Sequence, residues 1–258
     1  MLEVIVWTGA GLALLTAILL AWRAMSCAAG WRAWICYQLD RVHARVFTHW
    51  RAENACTIPE FGPAIIVANH TSPADPPTLW IRHFASFQHP RIRVIGFIMA
   101  REFARGFPVG WIARSMESIL VGRSGSDMAP MREALRRLEA GHLLGVFPEG
   151  RINFTTPDEQ LLPGGTGVAW LALKSGAPVI PIHIRNAPRD RRIIHAFLKR
   201  THTSVKYGAP VDLSRWTGSK PVDAALTEVT DTIMQAIADL GGLKITPVTR
   251  VREPADRN

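Results

Sequence analysis

The sequence predicts an α/β fold: a single mixed-sheet domain flanked by helices, with a hydrophobic helical segment in front of it. Three observations carry that expectation. From about residue 45 onward, short apolar runs alternate with stretches of helical periodicity, as strand–helix–strand folds require. Upstream, the chain from Val4 to Trp22 contains no charged residue. A length of 258 residues, 48% hydrophobic and 20% charged, suffices to bury a full core within one domain.

In chain order, the uncharged run comes first. It approaches the ~20 residues needed to cross a hydrocarbon core. A cleaved secretory signal fits less well, because Glu3 is the only charged side chain ahead of the run and the run is long for a signal core. A buried soluble helix rarely stays uncharged on all sides. Residues 1–40 are therefore expected to form a membrane-anchoring helical segment. Arg23, Arg32, Arg41 and Arg45 follow the run, and positive-inside bias then puts the rest of the chain on the cytoplasmic face. Residues 24–39 are again mostly apolar, with Trp31, Trp34 and Tyr37 around Arg32, a mixture suited to the headgroup layer. Two arrangements stay open: a spanning helix followed by an interfacial one, or two helices dipping into one leaflet.

Residues 41–243 hold the expected α/β domain. Its strands are read at 64–68, 93–99, 118–122, 143–147, 177–183 and 203–208. Between them, Met128, Met131, Leu135 and Leu138 fall at helical spacing, with Asp127 able to cap the helix and Gly141 to end it. A second helix runs through Val168–Leu173 and stops at Gly176. In the last helix Val222, Leu226, Val229, Ile233, Ile237 and Leu240 trace one face before Gly241-Gly242. Pro181, between Ile180 and Ile182, is awkward in a central strand and suggests a strand end or irregularity; the same apolar residues could wall an acyl groove or simply be core. Residues 244–258 are polar with two prolines and are expected to be a disordered tail.

The chemistry concentrates where strands hand over to loops. After Ala64–Ala68 comes Asn69-His70-Thr71-Ser72-Pro73-Ala74-Asp75, an imidazole five residues ahead of a carboxylate. Ligands of open α/β sheets gather at such carboxyl ends, and a carboxylate-oriented histidine is a proton acceptor suited to neutral pH. Asp75 stands before Pro76-Pro77, so it also reads as an ordinary helix N-cap. The two roles are compatible, since a carboxylate held at a helix start is rigid. After Leu143–Val146 comes Phe147-Pro148-Glu149-Gly150-Arg151, which by composition alone is a turn at a strand exit.

Charge and exclusions narrow the class. Thirty Lys+Arg against 21 Asp+Glu leave a formal +9, which suits an anionic partner. Cys27, Cys36 and Cys56 form no CxxC pair or metal-ligand cluster, so neither a disulfide framework nor a metal site is expected. The sequence has no GxSxG elbow, no HExxH, no phosphate-binding P-loop and no dinucleotide fingerprint. Nucleic acid is disfavoured as a partner, because no recognition motif accompanies the basic charge. Asn69-His70-Thr71 and Asn153-Phe154-Thr155 match the glycosylation pattern but lie beside the proposed site, and are read as accidental.

Taken together, the motifs resemble the glycerolipid acyltransferase family with its HxxxxD motif. Asn69-His70 to Asp75 corresponds to the first block of that family. Ser118-Ile119-Leu120-Val121-Gly122-Arg123 resembles the second, Phe147–Arg151 the third and Val179-Ile180-Pro181-Ile182 the fourth. Arg101-Glu102-Phe103 is similar to the basic element that follows the second strand. The likeness spans roughly residues 40–240. Departures fall around the acceptor side: Gly122 stands where many members carry Asp, Arg151-Ile152 replaces the commoner continuation, and Pro163–Gly167 lacks a lysine.

The resemblance implies an O-acyltransferase that moves a fatty acyl group from a coenzyme A or acyl-carrier-protein thioester, with no cofactor, to the hydroxyl of 1-acylglycerol-3-phosphate, giving phosphatidate. His70 would be the general base and Asp75 its orienting partner; Arg123 and Arg151 would hold phosphate through their guanidinium forks. Glu149 would belong to the acceptor site, accepting from a glycerol hydroxyl or holding an arginine, and Gly150 would permit close backbone approach. Oxyanion donors are expected among backbone N–H groups at the strand ends. Alternative acceptors are a lyso-ornithine lipid, another lysophospholipid or glycerol 3-phosphate. In a different class, a non-catalytic module could dock anionic membrane lipid through Arg189, Arg191, Arg192, Lys199 and Arg200.

Overall fold

The computed structural model describes residues 1–85, 93–122, 128–156, 158–218 and 220–247. Two helices open the chain, α1 (Leu2–Met25) and α2 (Gly30–Val46), followed by a short strand β1 (Arg51–Ala52). Strand β2 (Ala64–Ala68) leads to α3 (Asp75–Ala85), and β3 (Ile95–Ala100) through a 3-10 turn to α4 (Val109–Ser115). Then come β4 (Ile119–Val121), α5 (Ala129–Glu139), β5 (Leu143–Val146), β6 (Gln160–Leu161) and α6 (Gly167–Ser175). The chain closes with β7 (Val179–Arg185), α7 (Ile193–Leu198), β8 (Ser204–Tyr207), α8 (Asp223–Gly241) and β9 (Lys244–Ile245).

Seven strands form one mixed sheet in the order β1-β8-β7-β2-β5-β3-β4. Strands β7, β2, β5, β3 and β4 are mutually parallel. Strand β8 runs antiparallel to β7, and β1 parallel to β8. The carboxyl ends of β2, β5 and β7, three adjacent strands, therefore open on the same edge of the sheet, and that edge carries His70, Glu149 and the segment after Arg185. Because side chains alternate along a strand, β2 sends Ala64, Ile66 and Ala68 to one core and Ile65 and Val67 to another. The first core is closed by Ala33, Cys36 and Tyr37 of α2 with Leu79 and Trp80 of α3; the second by Ala134 and Leu138 of α5, α6, and Val229, Ile233 and Ile237 of α8. Periodicity made α8 legible, and its C-terminus turns off at Gly242, in the left-handed region at φ 66°.

Three expectations change, and a fourth falls outside the described residues. Helix α2 runs unbroken through residue 40, and its inner residues Ala33, Cys36, Tyr37, Asp40 and Ala44 are buried, so it belongs to the α/β core rather than wholly to an anchor. Its outer residues Leu39, Val42 and Val46 remain exposed. Lys244 and Ile245, expected in the unstructured tail, pair in parallel with Gln160 and Leu161; residues 248–258 lie outside the described residues. Helix α5 starts from Met128, while Asp127, its expected cap, also lies outside them.

Pro181 is the third that changes. It sits inside β7, which is buried from Val179 to Ile184, so this segment is core strand and not the wall of a groove. The strand tolerates it because of what lies opposite. The Gly208 N–H donates to the Pro181 carbonyl at 2.8 Å, but proline has no N–H to return. The Gly208 carbonyl instead accepts the Thr57 hydroxyl at 2.6 Å. A side chain replaces the missing rung.

Candidate active site

Strand β2 ends at Ala68, and the next residue extends the ladder with a side chain. Asn69 Oδ1 accepts the Ile184 N–H at 2.7 Å and Asn69 Nδ2 donates to the Ile184 carbonyl at 2.9 Å. The amide copies a backbone rung to β7, which frees the main chain to turn at His70. No role for Asn69 is expected from the motif. Its signal was a buried polar residue directly after an all-apolar strand, which has to find partners.

His70 is fixed on every side but one. Its N–H donates to Glu149 Oε1 at 2.7 Å and its carbonyl accepts the Asn153 N–H at 2.7 Å. Its ring lies against Phe147 with centroids 4.0 Å apart and planes 12° from parallel. Nδ1 is 2.9 Å from Asp75 Oδ2, and the histidine side chain is 16% exposed where the aspartate is fully buried. That aspartate oxygen also accepts the N–H groups of Thr71 at 2.7 Å and Ser72 at 2.8 Å. An oxygen gathering three donors is a carboxylate, so the imidazole proton sits on Nδ1 and Nε2 presents its lone pair. Among the described residues no hydrogen bond engages Nε2.

This geometry corrects the capping reading. Asp75 does begin α3, but its carboxylate folds back over the preceding loop and not onto the first turn of its own helix. The loop is held further by Ser72, whose hydroxyl donates to the Pro188 carbonyl and accepts the Ala74 N–H at 3.0 Å.

Glu149 is tied into the fold through the backbone of two other segments. It is 7% exposed, and its two oxygens accept the backbone N–H groups of His70 and Leu162, the latter at 2.8 Å. Burial pushes its pKa up, opposed by those two N–H bonds and by the nearby imidazole. Among the described residues no arginine bonds it; through these two bonds it ties the β2 loop to the β5 loop and to the segment entering β6. Gly150 is exposed at φ 66° with open space around its α-carbon, so the turn uses the backbone conformation that glycine adopts most readily. The turn closes through the Gly150 N–H on the Phe147 carbonyl at 3.0 Å. Gly165, from the glycine-rich stretch, donates to the Pro148 carbonyl at 2.8 Å and so adjoins the same turn.

Arg151 is exposed beside that turn. Arg123 lies outside the described residues, two positions beyond the end of β4. The structure thus brings His70, Asp75, Glu149, Gly150 and Arg151 to one edge. It adds Asn69, Ser72, Phe147 and Asn153 as residues that hold the imidazole in place. Asn153 is buried, with Nδ2 donating to the Gln160 carbonyl and Oδ1 accepting from Thr155 and Thr156. Both glycosylation-like asparagines are therefore buried and engaged in the folded chain.

Comparison with known proteins bears on the family and the fold. Two relatives named 1-acyl-sn-glycerol-3-phosphate acyltransferase, from Limnanthes alba and Limnanthes douglasii, are each 29% identical over 161 residues, covering 61% of this chain and 53% of theirs. The chain thus spans about half the length of those relatives. The crystal structure of the 1-acyl-sn-glycerophosphate (LPA) acyltransferase PlsC from Thermotoga maritima shares the fold, with a TM-score of 0.60 at 22% identity over 88% of each chain. The family model described as Acyltransferase matches residues 49–185, just over half of the chain and all of the loops that carry His70, Asp75 and Glu149; the chain belongs to that family.

Proposed function

We propose that this protein is a membrane-associated O-acyltransferase that transfers a fatty acyl group from a coenzyme A or acyl-carrier-protein thioester to the free hydroxyl of 1-acylglycerol-3-phosphate, giving phosphatidate. The observation that carries the reading is the imidazole locked through Nδ1 to Asp75, with Nε2 unengaged among the described residues at the carboxyl edge of the sheet. An alcohol attacks a thioester only as its proton leaves. In this reading Nε2 takes that proton, the hydroxyl oxygen forms the new bond to the carbonyl carbon, and Asp75 stabilises the imidazolium. Collapse of the tetrahedral intermediate breaks the carbon–sulfur bond, and the imidazolium returns the proton to the departing thiolate. No cofactor enters this sequence of steps.

The oxyanion donors come from elsewhere than the His70 loop. The N–H groups of His70, Thr71 and Ser72 already donate to Glu149 and Asp75, and those of Gly150 and Gly165 to carbonyls. Arg151 and Arg123 supply cationic forks for phosphate. Helix α1 supports the membrane part of the reading: Trp7–Met25 is long and apolar enough to cross a bilayer, and its side chains are not buried in the fold. The arginines after it favour a domain on the cytoplasmic face.

The test is thiol release by purified protein, with acyl-coenzyme A and acyl-carrier-protein donors against a panel of 1-acylglycerol-3-phosphate, lyso-ornithine lipid, other lysophospholipids and glycerol 3-phosphate. The wild type is expected to turn over fastest with 1-acylglycerol-3-phosphate, and His70→Ala to lose at least ~10²-fold in rate while remaining folded. Normal turnover by His70→Ala would end the assignment of the base, and a faster acceptor would replace the one named here.

A further inference from the structure

We propose that α7 and its flanks form a second membrane contact, separate from α1, that docks on the surface of a bilayer containing anionic phospholipid. Helix α7 turns Ala196 fully inward but leaves Ile194 and Leu198, one helical turn apart, 67% and 60% exposed. Arg191 and Arg192 precede the helix and Lys199 and Arg200 follow it, all exposed. Two aliphatic side chains on one face with cations at both ends is the pattern of an element that lies in the headgroup layer. Asp190, the acid beside them, is engaged locally, accepting the Arg192 N–H at 2.9 Å. A shallow, open depression lined by Asp190, His195, Leu198 and Lys199 lies on this face.

Helix α7 also touches α2, the helix that follows α1. His43 of α2 bonds through Nε2 to the Phe197 carbonyl at 2.8 Å, and its ring lies 5.1 Å from that of Phe197. Leu39, Val42 and Val46, on the exposed side of α2, flank this contact in sequence. On the other side α7 reaches the catalytic loops. The Arg191 guanidinium lies 5.7 Å from the ring of Phe154, whose neighbour Asn153 donates to the His70 carbonyl. Ser72 is tied to Pro188, just ahead of this segment. Docking of α7 would therefore bring the loops that carry His70 close to the surface from which a lysolipid is drawn. The proposal takes the membrane association of the previous section as its frame but makes a separate claim about residues 191–200.

The experiment uses the full chain reconstituted into vesicles of phosphatidylcholine alone or with phosphatidylglycerol, read by flotation and by amide hydrogen exchange of residues 193–198. Exchange is expected to slow several-fold in the anionic vesicles at low salt, and to recover in high salt and in the neutral vesicles. Each basic residue contributes about fivefold to partition onto an anionic surface. Arg192→Glu with Arg200→Glu, or Ile194→Glu with Leu198→Glu, should therefore abolish the protection while α1 keeps the protein floating. Equal exchange in both vesicle types, or protection that survives both double variants, overturns the proposal. Protection that instead appears in detergent and rises with protein concentration assigns the face to a second copy of the chain and overturns it too. Failure of the wild type to float removes the membrane reading along with this one, whereas flotation with an unprotected α7 removes this one alone.

Discussion

Asp75 concentrates three hydrogen bonds on a single buried oxygen, while its other oxygen, also buried, has no partner among the described residues. That asymmetry separates its orienting role from a capping role. In Asp75→Asn the amide carbonyl can still accept from the loop, so the fold should persist, but the imidazolium loses its counter-charge. We expect kcat to fall ~10²–10⁴-fold with KM little changed, measured by thiol release alongside a thermal melt; a variant with wild-type kcat would return Asp75 to a purely structural role. The His70–Asp75 pair was legible because order and spacing survive in sequence. The bonds that hold Glu149 were not legible, because its partners are the backbone N–H groups of His70 and Leu162, which any residue type would present. Asn69 was hidden for the same reason: its partner is the main chain of Ile184.

At the level of elements, β5 shows how a strand supports chemistry that it does not perform. A β-carbon added at Gly145 would stand 2.3 Å from the Phe97 ring. Phe97 is stacked on Phe147 with centroids 5.3 Å apart, and Phe147 is stacked on His70. Gly145→Ala must therefore shift Phe97, and through it the wall behind the imidazole. Expected are a stability loss of about 1–3 kcal/mol by chemical denaturation and a drop in kcat of roughly tenfold or more; an unchanged kcat would show that the stack does not position His70. Strand β7 carries a different signature. His183 is 5% exposed, and burial, then Arg185, push its pKa from 6.5 down to about 4. The folded state thus prefers the neutral ring, so the contribution is intact above pH 6.5 and is lost as pH falls from 6.5 toward 4, about 3 kcal/mol in all. Glu53 and Asp158 act against this shift, and Lys206 with it. His183→Asn should flatten the pH dependence of the melting temperature across that window, and an equally steep curve in the variant would place the titration elsewhere. The six main strands were legible as apolar runs. The two-residue strands β1, β6 and β9 were not, since two residues carry no periodicity.

For the molecule as a whole, the features that the sequence made plainest are the least buried ones. Helix α1 exposes Leu12, Leu14, Leu15, Ile18 and Leu19, each about half exposed or more, so the fold itself does not account for that apolar surface. In water such a helix would be a liability; within a bilayer it is the expected state. Helix α2 was harder to read, because its inner stripe serves the core and its outer stripe does not, and one apolar pattern conceals two destinations. A row of rings (Tyr37, Trp80, Phe97, Phe147, His70) then links α2 to the catalytic loop across the first core. The row thus connects α2, the helix that follows α1, to the reactive edge through packed side chains. This separates anchoring from catalysis in a measurable way. Leu15→Arg with Ile18→Arg places two charges near the centre of α1, each worth about 2.5–3.5 kcal/mol against insertion. Both positions are exposed, so the domain should fold unchanged. The variant should move from the floated to the soluble fraction of a vesicle gradient, keep its near-ultraviolet dichroism, and retain turnover on a short-chain lysolipid that is monomeric in solution. Its turnover on vesicle-borne acceptor should fall in proportion to the protein released. A variant that still floats, with an intact N-terminus by mass, would move the anchor to α2 and α7; one that loses turnover on the soluble acceptor as well would make α1 part of the active fold.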